Sequence, residues 1–400
     1  MHAPIRPDRP APGLLILLGV MTAFGALSMD MYLPAMPSME RALGASPAIT
    51  QLTIAAFLLG TAAGQLLWGA WSDRAGRRGP LFVGVGLFTL SSAACALAPS
   101  AGTLIAARVV QGFGSCAGNI IARASVRDTY GHADSARVFT WLTLVFGVAP
   151  VVAPFIGTGL LAVANWRAIF WALTAFGIAI GLWAAARLPE TRDAASRARA
   201  RVSHPLATYH TLLGRRRIVG HVVTSALGGS ALFAYVSSAS ILYISDFGLP
   251  PALFSAAFAS CAIAMVAGSQ INRQLLKRYH PDDIAAVATA VSAVSAVLFL
   301  CVALAGRAGP VQTFAASVVQ LAAFGLTTGN LQAGAMSSDP DDAGSIAALI
   351  GVVNFVVGAA VSAAVSAAHD GTALPLAAAI AISLTLALPA FLTLARRQAA

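Results

Sequence analysis

The chain alternates long runs almost free of charge with short polar turns that are mostly basic. A run of roughly 20 apolar residues crosses a bilayer core of about 30 Å as a helix. Lipid offers no partner to backbone N–H and C=O groups, so each run must be helical. The pattern predicts twelve membrane-spanning helices, at 13–36, 49–70, 80–98, 101–124, 137–162 and 167–187, then at 218–243, 251–272, 284–306, 310–335, 344–367 and 373–395. The first run is too long for a signal peptide and is followed by many more, so it is expected to stay attached as the first span. The fold class is an all-α polytopic membrane protein.

One long polar stretch interrupts the alternation. Residues 188–217 are rich in arginine and close with Arg215, Arg216 and Arg217. This stretch divides the chain into a six-helix bundle at 1–187, a basic linker, and a second six-helix bundle at 218–400. The linker reads equally well as a solvated connector or as a segment resting on anionic lipid headgroups. Gly268-Ser-Gln-Ile-Asn272-Arg273, closing the eighth span, echoes Gly69-Ala-Trp-Ser-Asp73-Arg74 at the close of the second. An echo at equivalent places agrees with a repeat of two six-helix units.

Charge then sets orientation. Arg6 and Arg9, the 74–78 turn, Arg123, Arg127 and Arg137, the linker, Arg273, Lys277 and Arg278, and Arg396 with Arg397 fall on one side, and only Arg41, Arg167 and Arg307 on the other. The basic side is cytoplasmic by the positive-inside rule, which places both termini in the cytoplasm. Of the 400 residues, 58% are hydrophobic and 10% charged, with a mean hydropathy of +0.78, which excludes an ordinary soluble protein. The net charge of +10 lies in segments flanking apolar runs, so membrane orientation explains it and no nucleic-acid partner is expected. Cys95, Cys116, Cys261 and Cys301 sit inside apolar runs without metal or disulfide spacing and read as small buried hydrophobes. No metal site and no cofactor is expected beyond the proton as coupling ion.

The stretch from Gly69 to Arg78 sets one carboxylate beside three guanidinium groups at a helix end. Gly69 and Gly76 suit close backbone approach and left-handed conformations. Asp73, Arg74, Arg77 and Arg78 are the candidates for gating. Two ionisable residues stand out inside spans, where charge is costly and therefore functional by default. Asp30 lies in Ser28-Met-Asp30-Met-Tyr32-Leu-Pro34 near the outer end of the first span. Desolvation favours its neutral form, which suits reversible protonation. Arg108, in Arg108-Val-Val-Gln111-Gly112-Phe-Gly114, cannot practically release its proton. Its role is electrostatic, favouring a nearby carboxylate or anchoring a hydrogen-bond network. Gly147, Pro150, Pro154 and Gly157 in the fifth span permit bending and close helix contact. Tyr32, Phe57, Phe146, Phe233, Tyr235, Asn330 and Asn354 mix aromatic faces with hydrogen-bonding groups as ligand pockets do.

The 69–78 turn resembles the G-x-x-x-D-R-x-G-R-R loop between the second and third helices of the major facilitator superfamily. Adding Asp30-Met-Tyr-Leu-Pro, Gln51-Leu-Thr with Phe57, Gly64-Gln65-Leu, Arg108-Val-Val-Gln111-Gly112, Arg127-Asp128, Ala149-Pro150 with Ala153-Pro154, and Pro189-Glu190-Thr191, the chain resembles the Bcr/CflA family of bacterial drug efflux transporters. The match runs through the first half and thins in the second, where Asn330 and Ala343-Gly344-Ser345 also fit. The fifth span has alanine before each proline where the antiporter pattern has glycine.

The resemblance implies a monomeric twelve-helix antiporter of the bacterial inner membrane, in two six-helix bundles of the major facilitator fold. It would export chloramphenicol- or bicyclomycin-like drugs in exchange for protons. It also implies that Asp73 faces Gly344 and Ser345 when the inner gate is shut. One proton crossing about 150 mV contributes roughly 3.5 kcal/mol, enough for a few-hundredfold gradient of a neutral solute. A transporter of a natural metabolite on the same fold is the alternative. No nucleophile elbow, H-E-x-x-H pair or ligand cluster marks an enzyme, and of seven histidines only His221 lies near a span start.

Overall fold

A computed structural model describes residues 12–130, 132–192, 197, 205–339 and 342–396, and no strand occurs among them. Arg6, Arg9 and Arg397 lie outside the described residues, as do 193–196 and 198–204 of the linker and the side chain of Arg137. Among the described residues eleven helices are long and apolar enough to cross a membrane, and twelve when one bent pair counts as a single span.

That bent pair is the first span. It consists of α1 (Pro12–Thr22), α2 (Phe24–Asp30), a 3₁₀ turn at Leu33–Ala35 and α3 (Met36–Leu43), with a bend of 43° between its two main pieces. Thr22 donates its hydroxyl to the Gly19 carbonyl at 2.6 Å, and Ala23 closes a tight turn onto Val20, so the helix ladder breaks there. Pro34 and Pro37 lack an N–H and break the regular ladder again. Periodicity shows a continuous apolar run here, and the breaks come from local bonding that hydropathy does not carry.

The second to sixth spans are α4 (Pro47–Ala75), α5 (Arg78–Leu97), α6 (Ala101–Thr129), α7 (His132–Val163) and α8 (Arg167–Arg187). A short helix, α9 (Pro205–Leu213), leads to α10 (Arg216–Ser240), α11 (Pro251–Leu275), α12 (Pro281–Leu304), α13 (Pro310–Ser337), α14 (Ala343–Ala367) and α15 (Leu374–Ala390). Both α10 and α15 end in wider π turns, at Ile241–Asp246 and Phe391–Ala395. Ser46 caps α4 and Ser100 forms a capping box with Thr103 on α6, which fixes where these helices begin. Several helices run past their apolar stretch: α4 continues to Ala75 and α6 to Thr129, so their polar last turns stand beyond the hydrocarbon.

Glycines set the closest crossings. A Cβ on Gly60 would fall 1.9 Å from the Val109 carbonyl oxygen and one on Gly112 2.0 Å from that of Phe57, which locks α4 against α6. The same reciprocal arrangement joins α11 to α13, where Gly268 meets Ala322 and Gly325 meets Met265, each at 2.0 Å. Between the two sets of six, α4 packs on α14 and α7 on α11. The outer faces carry exposed Leu90, Leu182, Val294 and Leu298, as lipid contact requires. Cys301 lies on such a face. It is exposed, contrary to the expectation of burial, while the other three cysteines are buried.

Candidate substrate cleft and coupling site

Between the two sets of helices lies a cleft of about 650 Å³, within the usual range of small-molecule sites. Its mouth carries Asp73, Arg74, Arg123, Arg127 and Asp342. Deeper, its walls are Gln65 of α4, Asn119 of α6, Phe233 of α10, Phe324 and Thr328 of α13, and Asn354 and Phe355 of α14. The opposite end is closed by bonds across the seam. Thr158 of α7 and Ser255 of α11 share a hydroxyl–hydroxyl bond of 2.8 Å, Ser255 donates to the Pro154 carbonyl at 3.3 Å, and Ser240 donates to the Leu33 carbonyl. Among the described residues, the cleft lining reaches the basic end, while the opposite end is bonded shut.

Of the fifth-span glycines and prolines, Pro154 takes part in that closed seam. Pro154 is buried and offers its carbonyl to Ser255, while Pro150 is half-buried. Gly157 lets the Met31 carbonyl approach within 1.8 Å of where a Cβ would stand, and Gly147 faces Val266 of α11 at 3.2 Å on the same measure.

The basic turn folds around Arg77, whose side chain is 3% exposed. Its Nε and Nη2 donate to Asp128 at 2.7 and 3.2 Å, and Nη1 donates to Asp73 at 2.8 Å and Ser72 at 2.9 Å. Burial by itself would lower the Arg77 pKa, but the bonds and charges of Asp128 and Asp73 outweigh it and raise the value, so the group stays charged. Glu190 then accepts from the backbone N–H groups of Arg77 at 2.8 Å and Arg78 at 3.2 Å, a carboxylate at a helix N-terminus. Gly76 has φ +96°, and a Cβ there would meet the Glu190 carboxylate at 2.6 Å, so only glycine fits this turn. Arg78 donates to the Ala185 carbonyl at 3.2 Å. Gly69 differs from the expectation: it is helical, has open space beside it and lines the cleft, so no close approach depends on it. Asp73 and the Gly344–Ser345 pair line the same cleft, and the Asp73 carboxylate is engaged by Arg77 and by Arg192 at 3.7 Å.

Arg108 is fully buried beside the first span. Its guanidinium lies 4.4 Å from the ring centroids of both Tyr32 and Phe57, a cation held between two aromatic faces. Nη1 donates to the Ser28 carbonyl at 3.0 Å and to Gln111 Oε1 at 2.6 Å, Nε reaches the Thr53 carbonyl at 3.4 Å, and Gln111 donates onward to Ser92 at 2.7 Å. Its Nη2 has no partner. Asp30 is 6% exposed, and among the described residues no hydrogen bond or ion pair engages its carboxyl group. Arg108 thus grips the backbone two residues before Asp30 and bonds into a polar network with Gln111 and Ser92.

Of the seven residues read as lining a pocket, Phe233 and Asn354 line the cleft. Tyr32 and Phe57 are taken up by Arg108, and Tyr32 also bonds Thr53 at 3.0 Å. Tyr235 stacks on Phe258 near Cys261, Asn330 pairs with Asn272 inside the bundle, and Phe146 is exposed away from the cleft lining. Sequence reasoning missed Gln65, Asn119, Phe324 and Thr328. For Gln65 and Asn119 the signal was there, since each is an amide set in an apolar helix.

Two sets of spanning helices around a cleft of mixed polar and aromatic lining fit a multi-pass membrane transporter. The chain belongs to the Major Facilitator Superfamily, whose family model matches residues 18–363. It is 32% identical over 401 residues to an uncharacterized MFS-type transporter, YdgK, of Bacillus subtilis, covering 100% of this chain and 98% of the relative. It is 28% identical to a bicyclomycin resistance protein homolog of Haemophilus influenzae, over 90% of this chain and 91% of that one. The crystal structure of a D-xylose-proton symporter superposes with a TM-score of 0.76 at 11% identity, covering 96% of this chain and 98% of that one, and shows the shared fold.

Proposed function

We propose that the chain exports small amphipathic compounds, of the bicyclomycin or chloramphenicol type, from the cytoplasm across the bacterial inner membrane in exchange for protons, working as a monomer. One observation carries the reading: among the described residues the cleft lining reaches the basic end while the opposite end is bonded shut, and a buried, unpaired Asp30 lies beside the Arg108 network in the wall of the first set of helices. The basic end is the cytoplasmic one, with both termini on that side. A drug enters there and packs against Phe233, Phe324 and Phe355. An ionised carboxyl at Asp30 is costly without a partner, whereas its neutral form is tolerated. Protonation of Asp30 therefore decides which arrangement of the first span is stable, and the Arg108 grip on Ser28 transmits that choice to the helix carrying Asp30. Asp73 and the turn around Arg77 form the inner gate.

The test is proton release from acidified everted vesicles on addition of neutral, cationic and zwitterionic drugs. The expected result is compound-induced alkalinisation that is lost in Asp30→Asn. Persistence of the response in that variant would remove the proton from Asp30. Silence toward every drug, with folded protein, would favour a metabolite as the natural cargo.

A further inference from the structure

Beside the cleft, inside the second set of helices, lies a separate recess of about 30 Å³ enclosed by α10, α12, α13 and α15. It shares Ser225, Leu232, Phe324 and Thr328 with the cleft wall, so the two are neighbours across these side chains. No ionisable side chain lines it. Two of its lining side chains are deeply buried and unpaired: Gln320 is 5% exposed with no partner for Nε2, and Thr224 is 2% exposed with none for its hydroxyl. A buried amide N–H without an acceptor is destabilising. Thr327 and Thr328 spend their hydroxyls on the Phe324 carbonyl at 3.1 and 2.8 Å, and Ser225 is engaged by Asn354 at 3.1 Å. Gln320 and Thr224 are thus left able to donate, and the buried Thr289 and Ser292 hydroxyls of α12 also line the recess.

We propose that the recess is a substrate subsite that takes a neutral hydrogen-bond-accepting substituent, such as a carbonyl or nitro group, while the rest of the molecule lies in the cleft. The inference rests on the reading of the cleft as the substrate site. Size and chemistry both limit the occupant. The space corresponds to one or two water-sized groups, which admits a terminal two- or three-atom substituent and no ring. Gln320 Nε2 can only donate, while the hydroxyls of Thr224, Thr289 and Ser292 can donate or accept, so an entering atom that accepts meets the one obligate donor of the lining. A charged group would lose its hydration with no counter-ion in reach. Phe324 forms part of both walls, so an aromatic body can lie against it while its substituent points inward.

The test uses the full-length protein in nanodiscs and pairs of neutral aromatic amphiphiles that differ in one group, nitro against isopropyl and acetyl against isopropenyl. Binding is read by tryptophan fluorescence, and proton release is read separately in everted vesicles. Wild type should bind the accepting member of each pair about tenfold more tightly, the worth of one well-made buried hydrogen bond. Gln320→Met, close in size, should abolish that preference by weakening the accepting member alone, and Thr224→Val should reduce it by about half on a logarithmic scale. The partner lacking the acceptor serves as the folding control. Equal binding of both members by wild type, or equal weakening of both in Gln320→Met, would make the recess a place for water only and overturn the proposal. Discrimination that persists without any proton release would instead overturn the antiport reading and leave the subsite standing.

Discussion

The two sets of helices share a scaffold and differ in what they bury. Each is locked by a reciprocal glycine crossing, Gly60 with Gly112 in the first and Gly268 with Gly325 in the second. Deep in the first lie Asp30 and Arg108, with the Arg77–Asp128 pair at the basic end. Deep in the second the buried polar groups are amides and hydroxyls: Asn272 with Asn330, Ser230 with Ser383 at 3.1 Å, Asn354 with Ser225, and Gln320. His221 is buried with both ring nitrogens unpaired, and the buried Asp282 stands only in the first turn of α12, near Arg217. Charge inside hydrocarbon is retained only against a large penalty, whereas neutral hydrogen-bonding groups cost far less and discriminate among uncharged ligands. On the proposed reading the first set handles the proton and the second holds the cargo.

The largest effect should come from the charged side of this comparison. Arg77→Ala removes the main partner of Asp128, which is 13% exposed and keeps only Arg192 at 3.5 Å and Thr191 at 3.3 Å, and leaves Asp73, which is 45% exposed, to Arg192 at 3.7 Å. Breaking a buried pair from one side costs about 3–5 kcal/mol, and the exposure of Asp73 places this variant near 3 kcal/mol. Denaturation of the purified protein in detergent would read the loss, and Arg77→Lys should recover part of it, because lysine keeps the charge without the two-pronged geometry. The raised pKa of Arg77 means that its contribution is present at all pH values below its unfolded pKa, which lies far above neutrality. A pH scan from 5 to 9 should therefore show no loss from arginine deprotonation. An unchanged midpoint in Arg77→Ala would mean that Glu190, Arg192 and Arg78 hold the turn without it.

The shared scaffold is tested by treating its two halves alike. Gly112→Val and Gly325→Val each force a side chain onto a backbone carbonyl 2.0 Å from the new Cβ, and backbone cannot swing aside as a side chain can. Overpacking of this kind costs about 2–3 kcal/mol, and the two variants should lose comparable stability and yield of folded protein. If one half tolerates its valine, the crossings are not equivalent and the resemblance between halves is one of topology alone.

Much of this was legible beforehand, for reasons that differ by residue. The spans follow from hydropathy because lipid leaves the backbone no choice but a helix, and the turn at 69–78 stood out because charge is rare elsewhere. Arg108 was legible as a candidate because an arginine in an apolar run needs a reason. What it touches was not: the aromatic clamp uses Tyr32 from the first span and Phe57 from the second, a contact across 76 and 51 residues that no local pattern encodes. For the same reason Tyr32 and Phe57 read as cleft residues and proved to be occupied elsewhere. The break in the first span and the place of Glu190 over Gly76 also rest on bonds between positions that hydropathy treats as unrelated. The six-letter echo placed Asp73 and Asn272 in the last turns of α4 and α11, yet one carboxylate joins an ionic network and one amide pairs with another amide.

That last contrast gives the smallest and sharpest test. Asn272 donates to Asn330 Oδ1 at 3.1 Å and accepts from Asn330 Nδ2 at 2.9 Å, and Nδ2 also reaches the Leu326 carbonyl at 3.0 Å. Both residues are buried, so removing one partner leaves the other with an unpaired amide in a low-dielectric interior, at a cost of about 1–2 kcal/mol. Removing both leaves no orphan. Asn272→Leu and Asn330→Leu should each destabilise by that amount, and the double variant should be more stable than either, a coupling that only a mutual pair produces. Because the pair is neutral and stands outside the cleft lining, proton release by the double variant should stay within about twofold of wild type. A double variant that folds well but no longer couples proton to drug would move the proton pathway into the second set of helices, and the division of labour between the two would fail with it.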